Sequence, residues 1–184
     1  MAAAIWLGKF SGSATGRRVA LLDFCSSRLN VAPERLALTH DESGAPLLRL
    51  DGGPSEWRVS SSSRENIALF ALSREKIGVD AEVLAAMAPA WNVLHESEKA
   101  ALAALPQTQQ GEGFLRLWTA KEAYLKALGV GLLREPAEIC IRPRADGFDV
   151  RDGGREIPTI ETRLWRENVE GRVVLCACVT LPGK

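Results

Sequence analysis

The chain has 184 residues, in which 23 Lys and Arg residues balance 23 Asp and Glu residues. A chain of this length can form one domain, or two small halves, with a substantial core. The charge balance gives no overall field that would attract nucleic acid or an anionic membrane, so any anion site must be local. The four cysteines include no C-x-x-C pair and there are only two histidines, a pattern that does not favour a zinc site.

The N-terminal stretch MAAAIWL is apolar, but it is too short for the core of a signal peptide, and Lys9 interrupts it. No other stretch approaches the roughly 18 apolar residues of a membrane span. Cys176 and Cys178 alternate within the apolar run VVLCACV, which predicts small core side chains on a strand and fits a reducing compartment. We therefore expect a soluble, cytoplasmic protein.

In chain order, the first half combines one helix with short extended runs. Ile5 to Phe10 predicts a first strand, and RRVALLDFCSSRL, from Arg17 to Leu29, has helical periodicity that ends before Pro33. Turn-rich pieces such as DESGAP and DGGPSE separate the next strands. These predicted strands are LALTH, PLLRL, WRVSSS, NIALFAL and IGVDAEV.

After Pro89 the pattern changes to two helices and then returns to strands. HESEKAALAAL predicts the first of these helices, with Asn92 or Ser97 as its N-cap, and FLRLWTAKEAYLKAL predicts the second. The strands that follow are EICIRP, GFDVRD, TIETRLWRE and RVVLCACVT. Each half combines helix with antiparallel strands, so we expect an α+β fold of two similar subdomains, residues 1–84 and 85–184.

The helix predicted over Phe114 to Leu128 carries charges on its apolar side. At about 100° per residue, Lys121 falls inside the apolar sector, and Glu122 and Lys126 lie at its border rather than on the solvent face. One interpretation is an ordinary surface ion pair between Glu122 and Lys126, with Lys121 extending its stem over the core. The other is a charged groove beside the packing surface.

A second charged pattern lies in IGVDAEV. On a strand, Asp80 and Glu82 point to the same face, and two carboxylates so close repel each other unless a cation lies between them. Magnesium suits such a place, because proteins commonly hold it with one or two carboxylates plus substrate phosphates. The alternative is a solvated strand end with two ordinary acids.

Taken together, GVDAE and WTAKEAYLK resemble the signature of the 4′-phosphopantetheinyl transferases, G-[IV]-D-x-E and W-[ST]-x-K-E-[AS]-x-x-K. The resemblance extends over about Gly44 to Ile141, since GAPLL is similar to the family's G-K-P-x-[IL] and HESEKAAL to its F-S-x-x-E segment. It implies the two-subdomain, monomeric, surfactin-synthetase-activating type, with a short N-terminal half. Members transfer the phosphopantetheine arm of coenzyme A, with Mg²⁺, to a serine of an acyl or peptidyl carrier protein.

The resemblance also implies roles for individual residues. Asp80, Glu82 and Glu122 match the family's magnesium-binding acids, and Glu122 matches the residue usually assigned to take the proton from the carrier serine. Lys126 matches the lysine that contacts the phosphates, and Lys121 stands beside it in the same motif as a further candidate. The resemblance therefore explains the charged face of the helix, which would point into a cleft between the subdomains.

The sequence departs from the family pattern at two positions. Ser61 stands where the family commonly has a histidine that contacts the 3′-phosphate of coenzyme A, and Ala45 replaces the lysine of G-K-P. Each lost cationic contact would weaken binding by about 1.5–3 kcal/mol if nothing compensated for it. The candidates for compensation are Arg64, just beyond the serines, and Arg17 and Arg18 at the start of the first helix.

The run Ser60 to Ser63 has two interpretations. Its hydroxyls suit a phosphate, with Ser61 and Ser62 as the candidate contacts to coenzyme A; alternatively, the run is a polar strand end or turn. His40 and His95 are expected to be turn or cap residues and not catalysts.

Two other functions remain open from the sequence. One is a catalytically altered family member that binds a carrier protein or a nucleotide without transfer. The other is a magnesium-dependent phosphohydrolase, although no residue stands out that would position an attacking water.

Overall fold

The structure is a computed structural model that describes residues 3–42, 44–130 and 133–183. Within these ranges the chain forms three α-helices and eleven β-strands. The helices are α1 (Ala14–Leu29), α2 (Glu96–Ala103) and α3 (Gln107–Leu128). The strands of the first half are β1 (Ala4–Lys9), β2 (Leu36–His40), β3 (Pro46–Leu50), β4 (Gly53–Arg64), β5 (Ile67–Ser73) and β6 (Lys76–Val83). Those of the second half are β7 (Ile139–Pro143), β8 (Phe148–Asp152), β9 (Arg155–Glu156), β10 (Glu161–Val169) and β11 (Arg172–Leu181).

The strands form three antiparallel sheets, which confirms the predicted α+β class. The first sheet has the order β1-β5-β4-β3-β2, the second β10-β11-β6 and the third β7-β8-β9. Strand β6 pairs with β11, from Val83 opposite Val174 to Lys76 opposite Leu181. It thus lies within residues 1–84 of the sequence but contributes to a sheet made mostly by the second half.

The first two sheets stack between α1 and α3. Strand β5 is buried along its whole length because its alternate residues enter two different cores. Ala68, Phe70 and Leu72 pack toward α1, and Ile67, Leu69 and Ala71 pack against β6 and β11. A third core lies between α3 and the strands of the second half.

The ends of the helices follow from their capping residues. The Ser13 side chain accepts a hydrogen bond from Gly16 N–H, so α1 begins at Ala14, earlier than the predicted Arg17. Helix α2 is capped by His95, not by Asn92 or Ser97, because the His95 ring accepts the Ser97 N–H and Glu98 bonds back to His95 N–H. Helix α3 ends at Gly129, whose φ of 73° is left-handed.

The backbones of β6 and α3 approach each other unusually closely at Gly78. A Cβ atom built on Gly78 would lie 1.9 Å from Ala123 O and 2.4 Å from Ala127 N. Only a residue without a side chain fits between the strand and the helix. This contact fixes the distance between β6 and α3. Because these two elements carry the two charged motifs, it also fixes how far apart the motifs lie.

Candidate active site

Strand β6 separates its apolar and charged residues onto two faces. Ile77, Val79 and Ala81 belong to the core between the sheets. The intervening residues share the face of Gly78, which contacts α3, so Asp80 and Glu82 lie on the α3 side. The alternation expected for IGVDAEV is therefore present, and it brings the two acids toward Glu122 and Lys126.

Asp80 is the most buried acid of this group, with 1% of its surface exposed. Its Oδ1 accepts hydrogen bonds from Lys126 Nζ and from Ser62 Oγ, each at 2.7 Å. Its Oδ2 is buried and has no hydrogen-bond partner among the residues that the structure describes. One carboxylate oxygen is thus held by two donors, while the other retains its capacity to accept.

Glu82 is held by a different cation. Arg64, at the end of β4, donates to both carboxylate oxygens of Glu82, with Nε to Oε2 at 2.7 Å. This bidentate geometry is the strong form of an arginine–carboxylate contact. Arg64 therefore lies beside the acids, paired with Glu82.

Glu122 is the acid whose charge is least compensated. Burial raises its pKa above the ordinary value of 4.5, and the negative charge of Asp80 raises it further. Lys126 and Arg64 oppose this effect without reversing it. A carboxylate with a raised pKa binds a proton more readily, as a general base near neutral pH requires.

A cleft of about 570 Å³ opens beside this cluster, between α1, the β2–β3 hairpin, β4 and the end of α3. Four of the predicted binding residues line it: Arg17, Arg18, Ser61 and Lys126. Among these, Lys126 also contacts Asp80, so the same ammonium joins the cleft to the acids. The cleft therefore presents local positive charge, although the chain as a whole has no net charge.

The other predicted binding residues lie elsewhere. Ser62 is buried and donates to Asp80, and the structure does not place it among the residues that line the cleft. Lys121 is fully buried, forms an ion pair with Glu98 at 2.8 Å, and donates to the carbonyls of Pro136 and Ile139. Its ammonium thus has three protein acceptors for its three donors, away from the cleft. Burial lowers the pKa of Lys121, and the ion pair with Glu98 opposes that shift.

Sequence reasoning overlooked two residues of this region. His40 was expected to be only a turn or cap residue, yet it lines the cleft beside Ala45. Its place at the end of LALTH, directly before the DESGAP turn that contains Ala45, was the available signal. Glu98 received no role, although it lies in the HESEKAAL segment that resembles the family pattern.

The acids fit a divalent cation in composition, but they are not arranged around one. Asp80, Glu82 and Glu122 outnumber Lys126 and Arg64, and Asp80 Oδ2 is buried with its acceptor capacity unused. Oxygen ligands of this kind are those that Mg²⁺ prefers. Over residues 3–42, 44–130 and 133–183, however, no three His, Cys, Asp or Glu side chains converge as a ready ligand set.

None of the helices in the described ranges has both the length and the apolar character that crossing a membrane requires.

Comparison with known proteins identifies the family of this chain. Residues 76–178, more than half of the chain, match the 4′-phosphopantetheinyl transferase superfamily. The chain is 32% identical over 137 residues to 4′-phosphopantetheinyl transferase HetI of Nostoc sp. (strain PCC 7120), covering 70% of this chain and 57% of that protein. It is 30% identical over 106 residues to 4′-phosphopantetheinyl transferase gsp of Aneurinibacillus migulanus, covering 56% and 43%.

The antiparallel α+β fold is the class of structure that the two sequence motifs imply. The chain belongs to the 4′-phosphopantetheinyl transferase superfamily. It spans about half the length of the curated relatives it matches.

Proposed function

We propose that the protein transfers the 4′-phosphopantetheine arm of coenzyme A to a serine of an acyl or peptidyl carrier protein, with Mg²⁺ as cofactor. The observation that carries this proposal is the placement of Lys126, which touches Asp80 at 2.7 Å and lines the cationic cleft. A diphosphate in the cleft would thereby lie next to the acids of both motifs.

Two cavities that border residues of the charged cluster also support a reaction between two unlike substrates. The cleft of about 570 Å³ carries Arg17, Arg18 and Lys126, as a phosphorylated nucleotide requires. Glu82 borders a second groove of about 290 Å³, which is otherwise lined by apolar side chains such as Val83, Phe114 and Trp118. The reacting groups would meet between these two cavities.

The reaction needs a deprotonated serine and a stabilised leaving group. Glu122 takes the proton from the carrier serine, whose Oγ then attacks the phosphorus that bears the pantetheine arm. The bond between this phosphorus and the oxygen that bridges the two phosphates breaks, and the nucleotide leaves with the bridging oxygen on its own phosphate. Lys126 neutralises charge on the diphosphate as that bond breaks.

Asp80, Glu82 and Glu122 are the residues that would hold Mg²⁺. When bound, the cation neutralises the phosphate oxygens and helps to orient them for in-line attack. For Glu82 to bind it, Arg64 has to share or release the carboxylate, which makes Glu82 the least available of the three acids.

Mass spectrometry of carrier proteins tests the function directly. The protein is incubated with coenzyme A, Mg²⁺ and a panel of apo carrier proteins, and each carrier is weighed for the added phosphopantetheine arm. Asp80→Ala and Glu122→Ala are expected to abolish transfer in folded protein, and Glu82→Ala to reduce it less. Glu112→Ala is the control, because Glu112 lies on the same helix but at the surface, facing Arg166. Near-normal transfer by Asp80→Ala would contradict the assignment.

A second candidate is a family member that binds a carrier protein or a nucleotide without transfer. Ser61 and Ala45 favour it, since both lie in the cleft at positions where the family carries cationic contacts to phosphate. Coenzyme A binding measured by calorimetry, with no mass gain on any carrier, would support this candidate over the transferase.

A further inference from the structure

The four consecutive serines at the end of β4, Ser60 to Ser63, point alternately to two sides of the first sheet. Ser60 and Ser62 pair across to Ala71 and Leu69, which face the core between the sheets. Ser61 pairs with Phe70, which packs toward α1, and Ser61 itself lines the cleft. Directly opposed residues in an antiparallel pair share a face, so Ser60 and Ser62 direct their hydroxyls to β6, although Ser60 also borders the cleft.

Ser60 and Ser62 both bind β6, but they bind different groups. Strand β6 is an edge of its sheet, and the Ser60 Oγ accepts its Val79 N–H at 3.0 Å. Ser62 Oγ instead donates to the Asp80 side chain at 2.7 Å. The two serines are buried almost equally, 4% and 5% exposed. Ser60 therefore supports the strand, and Ser62 contacts the carboxylate that the strand carries.

We propose that Ser62 is a positioning residue that holds the Asp80 carboxylate so that Oδ2 is presented to a divalent cation. The inference rests on the metal site of the proposed function. With Ser62 bonded to Oδ1, rotation of the carboxylate is restricted, and the buried Oδ2, unpartnered in the described part of the chain, is the oxygen left for a ligand. Donors that orient a metal-binding carboxylate typically change metal affinity 10–100-fold.

The second donor to Asp80 cannot fill this role throughout the reaction. Lys126 is 30% exposed at its side chain and lines the cleft, so a bound diphosphate competes with Asp80 for its ammonium. Ser62 is not exposed to such competition, because it is buried and is not among the residues that line the cleft. When Lys126 turns to phosphate, Ser62 is the donor that keeps Oδ1 in place.

The test measures Mn²⁺ affinity of the full chain by electron paramagnetic resonance, with and without coenzyme A. Ser62→Ala is expected to raise the Kd for Mn²⁺ about tenfold or more, and to raise the Mg²⁺ concentration for half-maximal transfer more than it lowers kcat. Ser62→Thr, which keeps the hydroxyl, is expected to restore most of the affinity. Ser60→Ala is the matched control, compared without coenzyme A because Ser60 also lines the cleft. It should lose similar stability while its Kd for Mn²⁺ stays within about twofold of the wild type.

Three results would overturn the proposal. They are an unchanged Kd in folded Ser62→Ala, an equal shift in Ser60→Ala, and a wild-type chain that binds no Mn²⁺. If Ser62→Ala does not fold, Ser62→Cys replaces it, since a thiol of similar shape is a weak donor and should still weaken Mn²⁺ binding. A wild type whose Mn²⁺ affinity depends on Ser62 but which modifies no carrier would refute the proposed function and leave this inference standing.

Discussion

Lys121 and Lys126 lie five residues apart on α3, about 1.4 turns, and each pairs with a buried carboxylate. Lys121 is fully buried, and its donors are used by Glu98 and the carbonyls of Pro136 and Ile139. Lys126 is 30% exposed and, among the described residues, contacts Asp80. A lysine–carboxylate pair on the same helix is thus a buried structural ion pair at Lys121. At Lys126 it is partly exposed, so the lysine can exchange its carboxylate for another anion.

The difference between these pairs comes from where the helix meets other elements. Near Lys121, α3 faces α2 and the approach to β7, so other parts of the protein surround the ammonium. Near Lys126, α3 reaches the cleft, which leaves room for a ligand. A buried pair with every donor satisfied is costly to break, whereas a partly exposed pair can change partners.

The largest expected effect is on the free energy of unfolding at the buried pair. Lys121→Met leaves Glu98 buried without its cation and should cost about 3–5 kcal/mol. Urea denaturation measures this change. Lys99→Met is the control, because its partner Glu96 is exposed and such pairs contribute about 1 kcal/mol or less. Equal losses in the two variants would refute the distinction.

The next effect is on coenzyme A binding. Lys126→Ala should weaken it by about 1.5–3 kcal/mol, because a charged contact to the diphosphate is lost. Isothermal titration calorimetry gives this value, with Arg116→Ala as a control for removing a cation of α3 that does not line the cleft. Unchanged affinity would mean that Lys126 serves only as the partner of Asp80.

A smaller effect concerns which cations replace the missing histidine and lysine of the family. Arg17 and Arg18 line the cleft with Ser61, while Arg64 is engaged by Glu82. Arg17→Ala or Arg18→Ala should therefore reduce the preference for coenzyme A over 3′-dephospho-coenzyme A about tenfold, the loss of one charged hydrogen bond.

Ratios of kcat/KM for the two donors measure this preference. Arg64→Ala is expected to leave the ratio unchanged. A wild type with little preference would instead indicate that Ser61 leaves the 3′-phosphate without a strong contact, and Ser61→His should then sharpen the discrimination.

The smallest effect compares two acids. Burial and Asp80 raise the pKa of Glu122, so the folded protein binds this proton more tightly than the unfolded chain does. Stability therefore falls as pH rises from the ordinary value of 4.5 through the raised pKa, and the penalty is complete above it. Glu122→Gln should raise the unfolding midpoint of the metal-free protein at neutral pH.

Calorimetric scans at neutral and acidic pH check this sign. The gain should vanish at acidic pH, where Glu122 is protonated in both states. Glu98→Gln should have the opposite effect at neutral pH, because Glu98 accepts from Lys121 and from the backbone of His95 and Ile141. A gain in both variants would contradict the contrast between the acids.

Much of the fold could be predicted from local patterns. Alternation identified the strands, and helical periodicity identified the helix that carries Glu122 and Lys126. The motif spacing also placed Asp80 and Glu82 on one face. These features depend on residues a few positions apart, where sequence and geometry are directly linked.

The partners of the site residues could not be predicted in the same way. Ser62 meets Asp80, and Arg64 meets Glu82, across 18 residues of sequence, because β4 packs against the edge of β6. The motif groups Lys121 with Lys126 as a candidate phosphate contact. Helical periodicity could show that Lys121 faces the core, but not that it forms an ion pair with Glu98 there. Such contacts depend on how sheets and helices dock, which no local pattern specifies.

Gly78 has no functional group, yet its close contact with α3 sets the distance between the acids of β6 and those of the helix. Because the strand and helix touch backbone to backbone there, even a methyl group would push apart the two elements that carry the proposed site. Every acid, hydroxyl and ammonium would remain, yet the distances between β6 and α3 would grow, and a displacement of about 1 Å can cost a hundredfold in rate. The glycine of GVDAE therefore permits the shortest possible distance between strand β6 and helix α3.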